Sequence, residues 1–478
     1  MVTRRRTTAA AGAHEANGQG HAPPKPNAST MDPAAEMAQI INAGSQDGVS
    51  RLRFWRGCFF RYDAGAYRDV GAGEVQSQLV NSLNDRWSRV TTNIVSNCMM
   101  HLRAKTILPA TVEAPAWLGD DGAPWPADEV LVARNGLVHL PSFIDGSDFR
   151  RPPTPRLFAM SALDFDFDAD APRPTAWHDF LGQLWPDDPD SVAALQEWFG
   201  YCLTPDTSQQ KILFLVGPKR SGKGTIARIL RALVGTANVA GPTLASLGSN
   251  FGLWPLLGKS LAIIGDARLG GRADGPAITE RLLSISGEDA PTIDRKNLEP
   301  VTCKLPTRFV IISNELPRLT DSSGALPSRM IPLVLTESWF GREDTTLTGQ
   351  LLTELRGILL WSIVGWARLR REGRFTEPQS SADVRDDMAE LASPVGTFVR
   401  ERCRLGPECW IPKADLYAVY KVWCADVGRD RIEDRAGFGR SLLAVFPRLK
   451  RGQRRDSGHP VWCYFGIEVS KETTTTGR

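Results

Sequence analysis

The sequence predicts an α/β fold: a parallel-sheet core, preceded by an α+β and helical N-terminal module and followed by a winged-helix domain. Three observations lead there. Between residues 211 and 334 short apolar runs alternate with amphipathic stretches, the pattern of buried parallel strands joined by helices. A glycine-rich turn, GPKRSGKGT (Gly217 to Thr225), separates one such strand from the helix after it. The chain, at 478 residues, is too long for a single core and suits about three domains. The expected divisions are a disordered tail over 1–48, the N-terminal module over 49–200, the sheet core over 201–375 and the C-terminal domain over 385–478.

Apolar residues make up 42% of the chain and charged residues 23%, as in a soluble globular protein. No apolar run approaches the roughly 20 residues needed to span a bilayer. The start, MVTRRRTTAAAGAHEANG, is basic but has no apolar stretch behind it, so it does not read as a secretory signal and the cytoplasm is expected. The eight cysteines are scattered without C-x2-C pairs and the six histidines do not cluster with them, which points to free thiols rather than a zinc site. A net charge of +3 decides little about partners, because local patches matter more.

In chain order, the Ala-, Gly- and Pro-rich residues to about 45 hold too few large apolar side chains to offset ordering entropy. RFWRGCFFRYDAGAYRDV alternates as a strand pair around Asp63-Ala64-Gly65, and VQSQLVNSLNDRW has helical spacing. Residues 108–176 are Pro-rich, with strand-like EVLVARNGLVHL. DFDFDAD (164–170) reads as an alternating strand or loop with solvated acids rather than a metal cluster. HDFLGQLW and SVAALQEWFGYCLT are amphipathic helices. The core follows: strand KILFLVG, helix TIARILRALVG, strand SLAIIGDA, helix ITERLLSISG and strand TRFVIISNE. A long helix, LTGQLLTELRGILLWSIVGWARLRRE, closes it, and EPQSSADVRDD is expected to be a polar linker. Beyond it three helical stretches and a β-ribbon are predicted, with Arg448, Lys450, Arg451, Arg454 and Arg455 as a basic run.

The glycine-rich turn matches G-x-x-x-x-G-K in the context that motif requires, a strand before and a helix after. Gly217, Pro218, Lys219, Arg220, Ser221, Gly222, Lys223, Gly224 and Thr225 would wrap phosphate oxygens with backbone amides, and the helix N-terminus adds partial positive charge. The expected ligands are a nucleoside triphosphate, ATP, and Mg2+. Lys223 would reach the β- and γ-phosphates. Gly224 stands where a Ser or Thr is usual, so Thr225 is the expected magnesium ligand. Asp266, ending the strand LAIIGDA, has the position of an acid that holds magnesium. Asn314, ending FVIISNE, would orient the attacking water, and Arg329 in ALPSRMIPLVL would reach a neighbouring subunit's γ-phosphate. Ala267 follows Asp266, so either Asp266 both holds the metal and activates the water, or the base comes from elsewhere, with Glu280 and Glu288 as the alternatives.

This ordered set resembles superfamily 3 helicases, in particular the poxvirus-type and satellite-phage primase–helicase family of phages, plasmids and mobile elements. The resemblance spans roughly residues 50–470 and includes the helical segment TAWHDFLGQLWPDD…LQEWFGYCLT before the P-loop. It implies a P-loop, AAA+-like ATPase core acting as a ring-shaped homo-oligomer, expected as a hexamer, that unwinds duplex DNA. SISGEDAPTIDRKNLEPVTCKLPTRFVIISNELP resembles the family's extra motif, whose hairpin grips DNA. That role would fall to Arg295 and Lys296, with Lys304 as a helper. Lys450, Arg451, Arg454 and Arg455 would contact DNA phosphates in the C-terminal domain. The implied partners are single-stranded and forked duplex DNA and a separate primase or loader, since residues 1–200 are expected to lack room for the primase domain that family members often carry beside the helical module. Two other readings compete: an ATP-regulated initiator that does not unwind, and a nucleoside-monophosphate-kinase-like phosphotransferase.

Overall fold

A computed structural model describes residues 24–119, 122–265, 267, 275–316, 325–428, 432–456 and 459–470. The expected tail is only partly within this range, since 1–23 lie outside the described residues. Residues 24–48 are not a tail. Asp32 caps helix α1 (Pro33–Ala43) by accepting from the Ala34 amide, and Met31 and Met37 are buried with Ile40 and Ile41 packed beside them. Three apolar side chains at helical spacing, with Met31 just before the helix, order the segment once a surface is there to receive them. That surface is α3 (Thr92–Thr106), which the sequence reading had not singled out.

The expected strand pair is a three-stranded meander, β1 (Leu52–Trp55), β2 (Cys58–Asp63) and β3 (Ala66–Val70), turning at Arg56-Gly57 and Ala64-Gly65. Helix α2 (Ala72–Arg86) buries Val75, Leu79 and Leu83, spaced by four. EVLVARNGLVHL forms the hairpin β4 (Val130–Ala133) and β5 (Gly136–His139). DFDFDAD runs beside it: Phe167 is buried, Asp166 pairs with Arg134 at 2.8 Å, and Asp164 accepts from the Thr236 amide.

Helices α4 (Thr175–Leu184) and α5 (Pro189–Tyr201) lead into the core. Its strands are β6 (Ile212–Val216), β7 (Val239–Ala240), β8 (Leu261–Ile264), β11 (Arg308–Ser313) and β12 (Met330–Val334). They form one parallel sheet in the order β7-β8-β11-β6-β12. Between them lie α6 (Lys223–Val234), α7 (Gly275–Ser286), the hairpin β9 (Thr292–Arg295) and β10 (Leu298–Thr302), and the short α8 (Ala325–Arg329). Every residue of β6 is buried, because the sheet is covered on both faces. Leu213 and Leu215 enter the core shared with α4, α5 and α6, while Ile212, Phe214 and Val216 enter the one shared with α7.

Two boundaries differ from expectation. The long closing helix is broken at Glu354 into α9 (Leu347–Thr353) and α10 (Leu355–Glu372). The Glu354 carboxylate accepts from the amides of Ala176 (3.0 Å) and Trp177 (2.9 Å), capping the first turn of α4. The expected polar linker is helix α11 (Gln379–Ala392), which packs on β12 and buries Ser381 and Met388. Its apolar stripe is narrow, so composition alone disguised it.

The last unit contains α12 (Pro394–Arg402), β13 (Cys403–Pro412), α13 (Lys413–Asp426), α14 (Arg435–Val445), β14 (Lys450–Asp456) and β15 (His459–Val469). Its antiparallel sheet has the order β13-β15-β14. The three helices and terminal ribbon agree with the sequence; β13 is an added strand. All eight cysteines are free thiols. Among the described residues no helix is long and apolar enough to cross a membrane.

Candidate functional site

All five strands of the core sheet run the same way, so the loops after β6, β8 and β11 emerge at one edge. This is where open α/β sheets bind ligands. The glycine-rich loop leaves β6 at that edge and delivers the chain into α6 at Lys223. Two glycines are required by close approach. A Cβ on Gly217 would stand 2.1 Å from the Leu335 carbonyl oxygen, and one on Gly222 would stand 2.9 Å from a Leu184 methyl. Gly222 also has φ 93°, a left-handed conformation that glycine adopts without strain.

Lys223 is buried, with its ammonium enclosed by the loop. It donates to the carbonyls of Gly217 and Pro218, both at 2.7 Å, and to the Ser221 hydroxyl at 3.0 Å. Burial pushes its pKa below the ordinary lysine value. The loop thus concentrates one cation and a helix N-terminus at the same point, which suits a polyanion. Thr225 is half-buried in the first turn of α6, where its hydroxyl accepts from Arg228 at 3.0 Å. Arg220 leans from the loop to Glu343 at 3.3 Å, and Lys219 is exposed.

Of the other expected site residues, Asp266 lies outside the described residues, while Ala267 beside it is buried and donates its amide to Ile312. Asn314 is exposed at the same edge as the loop: Ser313 is in register with Val216, so Asn314 stands level with Gly217. Glu315 is exposed one residue further on, an acid that sequence reading did not weigh.

Arg329 is elsewhere. Met330 is in register with Ile212, so Arg329 precedes the sheet at the amino edge. Its guanidinium donates to the Leu283 carbonyl and, at 3.0 Å, to the Ser286 hydroxyl at the C-terminus of α7. Glu288, weighed as a base, also sits at the amino edge. It accepts from Lys304 at 2.7 Å and Thr207 at 2.6 Å, and both hold its carboxyl below the usual carboxylate range. It therefore cannot face the loop of Lys223. Glu280 is exposed along α7.

The expected hairpin is present as β9 and β10, turning at Lys296-Asn297, with Asn297 at φ 61°. Its two basic residues part company. Lys296 is exposed at the turn. Arg295 is buried, donating to the Glu299 carbonyl at 2.9 Å and to the Arg56 carbonyl at 2.8 Å, so it ties the hairpin to the N-terminal meander. A cavity of about 440 Å³ lies beside that tie, at the amino edge, with Tyr67, Met160, Lys259 and Pro306 in its wall.

In the C-terminal unit Lys450, Arg451, Arg454 and Arg455 are all exposed on the edge strand β14. Alternation along the strand sends them to both faces. The Arg454 guanidinium lies 3.9 Å from the centre of the Trp410 ring, and Lys413 lies 4.8 Å from that of Trp462. Burial and the nearby charges of Arg451 and Arg435 lower the Lys413 pKa.

One supporting segment was not legible in the sequence. Residues 335–343, following β12, are laced to the glycine-rich loop. The Leu335 amide donates to Val216 (2.8 Å), the Ser338 hydroxyl to Lys219 (2.8 Å) and the Trp339 amide to Arg220 (3.0 Å). No motif marks this segment; only the adjacency of β12 to β6 brings it there.

Residues 215–329, from the end of β6 to the end of α8, match a family described as "Family of unknown function (DUF5906)". A solved structure described as the apo structure of the NrS-1 C terminal region is similar at 12% identity, over 91% of this chain and 99% of that one, with a TM-score of 0.51. A second, the A form apo structure of the same region, is also 12% identical, over 91% of this chain and 100% of that one, with a TM-score of 0.46. At this identity the first likeness is one of fold: the chain shares the α/β architecture of the NrS-1 C terminal region.

Proposed function

We propose that this protein is an ATP-driven replicative DNA helicase of a phage, plasmid or mobile element, working as a ring-shaped homo-oligomer, a hexamer. The observation that carries the reading is the glycine-rich loop at the carboxyl edge of a parallel sheet, with the Lys223 ammonium enclosed at the mouth of α6. The resemblance of the ordered motifs to superfamily 3 helicases supports a place in replication, and the α/β fold shared with the NrS-1 C terminal region agrees with the parallel-sheet core that reading needs.

In this reading Lys223 exchanges its bonds to Gly217 and Pro218 for the β- and γ-phosphate oxygens of ATP, and the loop amides hold the rest of the triphosphate. The Thr225 hydroxyl, a hard oxygen donor in the first turn of α6, suits magnesium and would hold it together with Asp266. When bound, the ion neutralises phosphate charge. Asn314 orients water at the same edge. Arg329, one sheet-width away, acts on the nucleotide of a neighbouring subunit.

Lys296 on the hairpin contacts the translocating strand. The helix–strand–helix–helix–strand–strand order of the last unit supports a winged helix, whose strand β14 offers Lys450, Arg451, Arg454 and Arg455 to phosphates. The deciding experiment is unwinding of a forked duplex with ATP and magnesium, wild type beside Lys223→Ala. Wild type separates the strands and the variant loses at least about 100-fold in hydrolysis. Hydrolysis by wild type without strand separation under any loading condition would sink the helicase reading in favour of an ATP-regulated initiator.

A further inference from the structure

The segment after β12 contains Phe340, which at 75% relative exposure is the most exposed large apolar side chain among the described residues. A single exposed ring is ordinary at a protein surface; what sets this one apart is that its segment is fastened to the glycine-rich loop. The segment is well held. Three hydrogen bonds fasten residues 335–339 to Val216, Lys219 and Arg220, and the Arg220–Glu343 pair fastens it again beyond the turn.

The turn itself is specified. The Phe340 amide donates to the Ser338 hydroxyl at 3.3 Å and the Arg342 amide to the Trp339 carbonyl at 2.8 Å, while Gly341 takes φ 78°. Trp339 packs against the core shared with α4 and α6. Its neighbour Phe340 is exposed, one residue beyond the amide that bonds the Arg220 carbonyl of the glycine-rich loop. The aromatic pair is split between fold and surface by one turn.

We infer that Phe340 is the platform on which the base of the bound nucleoside triphosphate stacks, making it a specificity-determining residue of the same site. This rests on the nucleotide reading above. The loop holds only phosphates, and it does so through backbone amides and Lys223, which cannot distinguish a nucleotide from any other polyphosphate. The base and ribose must leave the loop along its surface. The segment carrying Phe340 borders that surface through Ser338 to Lys219 and Trp339 to Arg220, and the exposed Phe340 ring follows directly on those contacts. Stacking tolerates any base, since every base has a π face.

The test is titration calorimetry on the full chain with two probes, ATP and inorganic tripolyphosphate. Wild type is compared with Phe340→Ala and with Phe340→Tyr, which keeps the ring. Phe340→Ala should weaken ATP about tenfold, the size of one base–aromatic stack, and leave tripolyphosphate unchanged. Phe340→Tyr should bind ATP within about twofold of wild type, since stacking needs only the ring. Unchanged ATP affinity in Phe340→Ala, or equal weakening of both probes, overturns the inference while leaving the nucleotide reading intact. Binding of neither probe by wild type overturns the nucleotide reading itself, and this inference with it.

Discussion

At the carboxyl edge of the central sheet Lys219, Asn314 and Glu315 are exposed, and the hydrogen bonds of Lys223 among the described residues all go to its own loop. At the amino edge the charged groups are committed. Arg308 is buried and donates to the carbonyls of Thr204, Asp206, Ser260 and Pro306, with its guanidinium 4.9 Å from the Tyr201 ring centre. Arg329 is bound to the end of α7, and Glu288 to Lys304 and Thr207.

Helix direction accounts for the difference. In a parallel sheet joined by helices, N-termini gather at the carboxyl edge, where unpaired amides attract anions from outside the fold. C-termini gather at the amino edge, where unpaired carbonyls attract the protein's own cations. The carboxyl edge therefore presents amides that suit an anion, while at the amino edge Arg308 and Arg329 take up carbonyls of the fold.

The sharpest way to break this contrast is Arg329, which is committed at the amino edge yet proposed to serve a neighbour's nucleotide. Arg329→Ala should lower ATP turnover about 1000-fold, as loss of a trans-acting arginine does, with nucleotide affinity nearly kept. If turnover survives and only the melting temperature falls, Arg329 belongs with Arg308 as a structural cation. For Arg308 itself the expectation is the reverse. Arg308→Met should cost about 3 kcal/mol in denaturant unfolding by orphaning buried carbonyls, and leave ATP affinity per folded molecule unchanged.

The smallest effect belongs to the exposed pair at the same edge. Lys304→Ala should cost under about 1 kcal/mol at neutral pH, because both partners meet water. Glu288 is held below its ordinary value, so the pair's contribution is present above the unfolded carboxylate pKa of about 4.3 and is lost as pH falls through the lower, folded value. Thermal melts at neutral pH and at about pH 3 should therefore show the Lys304→Ala penalty shrinking in acid; a penalty that persists there would mean that packing, not charge, carries it.

Much of the candidate site could be read from residues alone. The strand–loop–helix around Lys223 was legible because its chemistry is local: glycines at the close approaches, a lysine at the loop's end, an apolar run before and a helix after. The apolar run that makes β6 a buried strand was legible for the same reason, whereas the hairpin at Lys296 followed only from the family resemblance, and the basic run from Lys450 reads as the end of a helical stretch where the structure has a strand. What failed depended on partners distant in sequence. Arg295 reads as a DNA-gripping cation of the hairpin until the Arg56 carbonyl, far back in the chain, is brought beneath it and its guanidinium is buried. Residues 33–43 read as tail until α3 offers Met37 a surface, and 379–392 as linker until β12 receives Ser381.

The sequence by itself determined the strands of the sheet, its glycine-rich loop and the order of the segments around it, since periodicity and backbone conformational preference act over a few residues. Tertiary structure alone decided that Arg329 and Glu288 belong to the amino edge, that residues 335–343 frame the loop and that Phe340 is left in water. Those outcomes follow from which strand lies beside which. Strand order is set by burying both faces of one sheet, an energy summed over the whole core and written at no single position.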